Sequence, residues 1–173
     1  IVEGGPGAAA RTTGLLGGIL SYAVLQGVIE HNPATGVKRP ADKRRTRRLT
    51  AEEFRRLGQA LSAAEAEGEI RQGIDGVWLL ALTGCRLGEI ERLRWVEVDS
   101  DGGCLRLEDS KEGASVRPIG QPVLDVLDGI EHRKGNPYVL ASARGVGSFG
   151  GLPGALERIV ARAQLEGVTA HTL

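Results

Sequence analysis

The sequence predicts an α+β fold, mainly helical, with a small three-stranded antiparallel sheet. Apolar stripes of helical period, several with recognisable caps, recur along its 173 residues. Three short alternating runs, VEVD, CLRLED and ASVRPI, are separated by the turns Ser100-Asp101-Gly102-Gly103 and Ser110-Lys111-Glu112-Gly113, the pattern of a meander. Hydrophobic residues make up 41% but aromatics only 3%, and there are 26 glycines, so the core must be built from Leu, Val, Ile and Ala and the chain must turn often.

In chain order, the first helix lies between Arg11 and Glu30, where TTGLLGGILSYAVLQGVI carries no charge. Its length barely reaches that of a membrane span. Ser21 and Gln26 interrupt it, and Leu15, Leu16, Ile19, Leu20, Ala23, Val24 and Val28 form one broad stripe, the pattern of a soluble packing helix. Asn32-Pro33, Gly36 and Pro40 then break regular structure, while Lys38, Arg39, Lys43, Arg44, Arg45, Arg47 and Arg48 concentrate positive charge. Such a run is either a solvated tether or a strap along a phosphate backbone. Thr50-Ala51-Glu52-Glu53 forms a capping box that starts a helix at about Ala51, with Phe54, Leu57 and Leu61 on its buried face. After an exposed turn, GIDGVWLLALTG is apolar nearly all round and reads as a central helix ended by a left-handed cap at Gly84. A further helix starts at Arg86 or Leu87, with Leu87, Ile90 and Leu93 inward. Beyond the meander come a helix from about Gln121 to Ile130, a basic loop, a short apolar YVLAS, a glycine-rich loop, and a last helix begun by Pro153 and running to about Gln164.

Lysine plus arginine equals aspartate plus glutamate, at 22 each, so net charge argues neither for nor against a polyanionic partner. Cys85 and Cys104 lie in no Cys-x-x-Cys spacing, which supports neither a zinc site nor a disulfide framework; both are assigned to packing, and a reducing, cytoplasmic setting fits. IVEGGPGAAAR lacks the basic region and apolar core of a cleavable signal, and the absence of methionine points to an excerpt of a longer chain. GVGSFGGLPG follows no strand in the manner of a phosphate-binding loop, so no nucleotide site is expected there.

Three ordered boxes carry a resemblance to a known family. TGCRLGEIERLRWVEVD resembles the first signature of the tyrosine recombinases, or phage integrases: Thr-Gly-x-Arg-x-x-Glu-Ile or Leu, then Leu-x-Trp-x-x-Ile or Val-Asp. Thr83, Gly84, Arg86, Glu89, Ile90, Leu93, Trp95, Val98 and Asp99 supply every element. SKEGASVRPIG resembles the hairpin box, with Lys111 at the lysine, although Glu112 replaces the commoner threonine and Pro118-Ile119 shifts the proline. VTAHTL resembles the start of the His-x-x-Arg box, with His171 at the histidine. LLGGILSYAVLQGVIEHNPATGVKRP is similar to the end of the core-binding domain and the linker of such integrases, so the resemblance covers nearly the whole chain. It implies three parts: residues 1–36, the last helix of a core-binding domain; 37–49, a basic interdomain linker; and 50–173, a catalytic domain without its second arginine and tyrosine.

The chemistry that the resemblance implies is site-specific cleavage and rejoining of double-stranded DNA through a phosphotyrosyl intermediate, with no metal and no cofactor, on a tetrameric synapse. A pentavalent phosphorus places extra charge on its non-bridging oxygens, which a fixed guanidinium complements by bidentate hydrogen bonds. Arg86 takes that role by family match, aided by the amino end of the helix that starts there. Lys111 would protonate the departing 5′ oxygen, His171 would bind the phosphate or shuttle a proton, and Glu89, one turn on from Arg86, would hold the guanidinium. Tyr22 and Tyr138 are the only tyrosines, and neither follows a His-x-x-Arg box, so the chain by itself is expected to be inactive. Taken singly, Arg86 could be a helix-end arginine paired with Glu89, Lys111 a solvated turn lysine and His171 a surface residue. The rival reading is a non-catalytic DNA-binding remnant, or a truncated integrase that only occupies sites.

Overall fold

The computed structural model describes residues 5–39, 47–108 and 113–173. The chain divides into two units, Ile1–Thr46 and Arg47–Leu173. Among the described residues it has six α-helices and one three-stranded antiparallel sheet, in agreement with the predicted α+β class.

The first unit is built on α1, Pro6–Leu25. It begins earlier than the apolar run suggests, because Pro6 suits the first helical turn and Ala8-Ala9-Ala10 are strong helix formers. It ends earlier too, since Gly27 adopts φ +68° and turns the chain. Asn32 then ties the chain back: its amide donates to the Gly17 carbonyl (2.9 Å) and Ser21 Oγ (2.8 Å), and its Oδ1 accepts from the Ala34 N–H (2.8 Å). The expected packing stripe is largely uncovered, with Leu15, Leu16, Ile19 and Val28 all at least half exposed. By length and composition alone, Gly7–Leu25 could cross a membrane.

In the second unit, α2 (Ala51–Ala66) starts on the predicted capping box: Thr50 Oγ1 accepts from the Glu53 N–H, and Glu53 accepts from the Thr50 N–H at 2.8 Å. Its buried face is Leu57, Ala60, Leu61 and Ala64; Phe54, expected inward, is exposed, because it lies on the first turn, ahead of the packed stripe. Helix α3, Arg71–Thr83, is the central element and packs against α2, against α5 (Gln121–Asp128) and against α6 (Leu152–Arg162). Two glycines permit this approach. A Cβ on Gly73 would lie 2.6 Å from Ala155 Cβ, and one on Gly76 would lie 2.6 Å from Leu152 Cδ1. Asp75, buried in α3, accepts from Arg71 Nε at 2.9 and 3.0 Å; burial nevertheless raises its pKa, with the arginine acting against it.

Bidentate pairs lash the α2–α3 turn to α6: Arg162 donates to Glu67 (2.6 and 2.7 Å) and Arg158 to Glu69 (2.8 Å twice). The sheet orders β1 (Val98–Asp99), β2 (Cys104–Leu107) and β3 (Ser115–Pro118) as a meander, with Leu105 opposite Arg117 and Leu107 opposite Ser115. Val96 and Glu97, expected in the first strand, form instead a short 3-10 turn, Trp95–Glu97. Glu97 causes the change: its carboxylate is buried and accepts from the Arg94 N–H (2.9 Å) and the Glu108 N–H (3.0 Å). Burial raises the Glu97 pKa, and those hydrogen bonds with Arg94 outweigh it, leaving the pKa low. The YVLAS segment crosses behind, Val139 donating to the Leu93 carbonyl at 2.8 Å.

Candidate active site and nucleic-acid interface

The local sequence accounts for how Arg86 is displayed. The Thr83 hydroxyl donates to the Leu79 carbonyl at 2.6 Å and accepts the Cys85 N–H at 3.2 Å, closing the end of α3. Gly84, at φ +63°, reverses the chain in a conformation that costs other residues strain. Cys85 is drawn into the core, and Arg86, extended at φ −66° and ψ 148°, opens α4, Leu87–Glu91. Burial pushes the Cys85 thiol pKa up; its bond to Thr83 opposes this, Glu89 adds to it and Arg117 opposes it. Helix α4 has only 5 residues, shorter than the predicted run to Leu93, so the contribution of its dipole to any anion is slight.

Glu89 fixes the site from beneath. Its side chain is 4% exposed and accepts from both the Arg86 N–H (2.8 Å) and Arg86 Nη1 (3.0 Å), whereas the Arg86 side chain is 37% exposed. A buried carboxylate thus orients a part-exposed guanidinium at the rim. The predicted Arg86 and Glu89 are therefore brought together. Lys111 lies outside the described residues, as do Lys43, Arg44 and Arg45. His171 is exposed, its N–H pointing to Thr169 Oγ1 at 3.4 Å within a turn closed by buried Thr172, whose hydroxyl donates to the Thr169 carbonyl at 2.7 Å.

Of the described basic residues, Lys38, Arg39 and Arg48 are exposed. Arg47 is engaged internally, donating to Glu53 at 2.5 and 2.9 Å and to the Arg48 and Glu166 carbonyls. Those bonds to Arg47, with the Thr50 N–H, hold the Glu53 pKa down to about 2. Sequence reasoning gave Arg117 no role, yet its place opposite fully buried Leu105 sets it on the inner face of the sheet. The alternation of ASVRPI is the signal that marks it.

No protein-family model matches the chain. It is 30% identical over 109 residues to tyrosine recombinase XerC of Actinobacillus pleuropneumoniae serotype 7 (strain AP76), covering 62% of the chain and 35% of that protein. It is 25% identical over 152 residues to the integrase of Enterobacteria phage 434, covering 83% of the chain and 41% of that protein. The chain thus spans less than half the length of either curated relative. Among solved structures, a lambda integrase dimer bound to a COC′ core site superposes with a TM-score of 0.76 at 23% identity, over 96% of this chain and 61% of that one. The Tn1549 transposon integrase in complex with circular intermediate DNA gives 0.70 at 16% identity, over 94% and 62%. The fold is that of the tyrosine recombinase catalytic domain. In sequence the chain is similar to a tyrosine recombinase and to a phage integrase.

Proposed function

We propose that the chain is part of a tyrosine recombinase that integrates or excises a mobile element, comprising the end of a core-binding domain (1–36), a linker (37–49) and the first part of a catalytic domain (50–173). The observation that carries this reading is the Arg86–Glu89 pair: a rim guanidinium held from behind by a buried carboxylate, immediately after a left-handed glycine. That arrangement suits a phosphodiester whose non-bridging oxygens gain charge as a tyrosine attacks phosphorus and the 5′ oxygen departs. In this reading Arg86 binds the phosphate, Glu89 positions it, Lys111 protonates the leaving oxygen, and His171 assists at the phosphate. Lys38, Arg39, Arg48 and the neighbouring Lys43, Arg44 and Arg45 neutralise the DNA backbone, while Arg47 serves chiefly to anchor α2. The protein works in the cytoplasm and assembles with further copies on its site, as in the lambda integrase tetramer bound to a Holliday junction.

Neither tyrosine suits the nucleophile's role. Tyr22 lies in α1, and Tyr138 sits in the segment that pairs with Arg94 behind the sheet. The chain is therefore expected to bind duplex DNA with an affinity that falls steeply with salt, and to form no covalent complex with a suicide substrate. Fluorescence anisotropy across a salt series, with denaturing gels of the same mixtures, tests both. Absence of binding at low salt removes the DNA reading, and an adduct at Tyr22 or Tyr138 overturns the residue roles.

A further inference from the structure

Arg47 stands at the end of the basic run, yet its guanidinium is turned inward. Nη1 and Nη2 donate to the two oxygens of Glu53 at 2.9 and 2.5 Å, while Nε and Nη2 reach the Glu166 carbonyl, 119 residues away, at 3.4 and 3.3 Å. Arg56 of α2 does the same from alongside. Its Nη1 donates to the Gln164 carbonyl, 108 residues away, at 3.2 Å, and its Nη2 lies 3.9 Å from the same Glu53. Two guanidiniums organised by one carboxylate thus end on carbonyls of a single turn, the one that leaves α6. The backbone of that turn is strained. Gln164, at φ +52°, is the one non-glycine residue in the left-handed region among the described residues, and Gly167 follows at +66°; a residue with a Cβ stays there only where its surroundings hold it. Leu165 and Val168 are buried to either side, while Glu166 and Gly167 between them are exposed, so Arg47 grips the stretch that apolar packing leaves unsecured. The chain then runs directly into the Thr169–Thr172 turn, which shows His171 to solvent.

We propose that Arg47 is a positioning residue for His171, fixing through the Glu166 carbonyl the reversal from which the His171 turn departs, so that the imidazole meets the DNA phosphate in one place. The proposal rests on the recombinase reading for the contact between His171 and that phosphate. The residue type follows from the task. A planar fork offers Nε and Nη2 to the carbonyl while Nη1 and Nη2 hold both carboxylate oxygens, which an ammonium on a flexible stem cannot do in fixed geometry. Leu165, Val168 and Thr172 are buried and hold the segment to the core. What the arginine adds is the placement of the ring, and a misplacement of about 1 Å matters to a group acting at a reacting phosphate.

The test uses the 173-residue chain and its Arg47→Met, Arg47→Lys and Glu53→Gln variants. Diethyl pyrocarbonate acylates accessible imidazoles, and the chain has three histidines, His31, His132 and His171, so peptide mass spectrometry reads His171 against two internal references. Rates are measured for the free chain and with saturating mixed-sequence DNA duplex at low salt, and each variant's thermal midpoint is recorded. Duplex should slow modification of His171 several-fold in the parent. In Arg47→Met that protection should be largely lost although the duplex is still bound, with His31 and His132 modified as in the parent; Arg47→Lys should restore part of it. Glu53→Gln, which keeps an acceptor for the Thr50 N–H but loses the charge that holds Arg47, should lose protection too, and it carries the comparison if Arg47→Met does not fold. Protection of His171 equal to the parent's in Arg47→Met and Glu53→Gln overturns the proposal and leaves the recombinase reading standing. Loss of protection that comes with faster modification of all three histidines in the free variant, and is not recovered by lysine, marks general loosening and also overturns it. A parent in which bound duplex leaves His171 unprotected, or which binds no duplex, removes His171 from the phosphate, and the recombinase reading fails together with the proposal.

Discussion

Substituting alanine for Gly76 sets two effects of known sign against each other. In favour of the alanine, glycine in a helix interior is about 0.8–1 kcal/mol worse than alanine, largely because the unfolded chain has more freedom to lose. Against it, the added Cβ would sit 2.6 Å from Leu152 Cδ1, 2.9 Å from Leu140 Cδ1 and 3.3 Å from Leu152 Cδ2. Carbon atoms prefer about 3.5–4 Å, so α6 or both leucines must retreat by up to about 1 Å. Neither leucine has room, each being fully buried, and overpacking of this kind costs about 1–3 kcal/mol. The net expectation for Gly76→Ala is a loss of about 0.5–2 kcal/mol. Gly58 supplies the control, since a Cβ there would meet only Trp78 Cη2, at an ordinary 3.5 Å. Gly58→Ala should therefore stabilise, by about 0.5–1 kcal/mol. Urea unfolding of the two variants, read as a shift in midpoint at constant slope, measures both. If Gly76→Ala is as stable as Gly58→Ala, the close approach of α3 and α6 is not what selects glycine there, and the reasoning fails.

The other perturbations address the site and its supports. Removing the buried carboxylate in Glu89→Ala takes one acceptor from the Arg86 N–H and one from its Nη1 and should cost about 1.5–3 kcal/mol by chemical denaturation; a neutral result would deny Glu89 its positioning role. Acid should weaken the second unit through Glu53 and Glu69, both held at about 2 by arginine hydrogen bonds and backbone N–H groups. Because their folded pKa lies below the unfolded value of about 4.3, the stability they confer is complete above that value and is lost as pH falls from there towards 2. The thermal midpoint should drop across that window, and the Glu53→Gln, Glu69→Gln double variant should flatten the drop; an equally steep profile in the variant would exclude both carboxylates as its source.

The sequence by itself determined what local physics controls. Thr50 and Glu53 announce the start of α2, Gly84 its left-handed stop after α3, and the alternation of CLRLED and ASVRPI the meander, because caps, turns and period-two patterns act within a few residues. The Arg86 and Glu89 spacing likewise placed a carboxylate under a guanidinium, since three residues on from a helix start faces back to it. Decisions made by distant partners stayed hidden. Val96 and Glu97 alternate like a strand, but Glu97 is captured by the N–H of Glu108, eleven residues on, and the segment becomes a 3-10 turn. Arg47 reads as one more cation of a basic run until Glu53 and the carbonyl of Glu166, 119 residues away, take hold of it. Which charges meet depends on the packing of distant elements and not on their order along the chain.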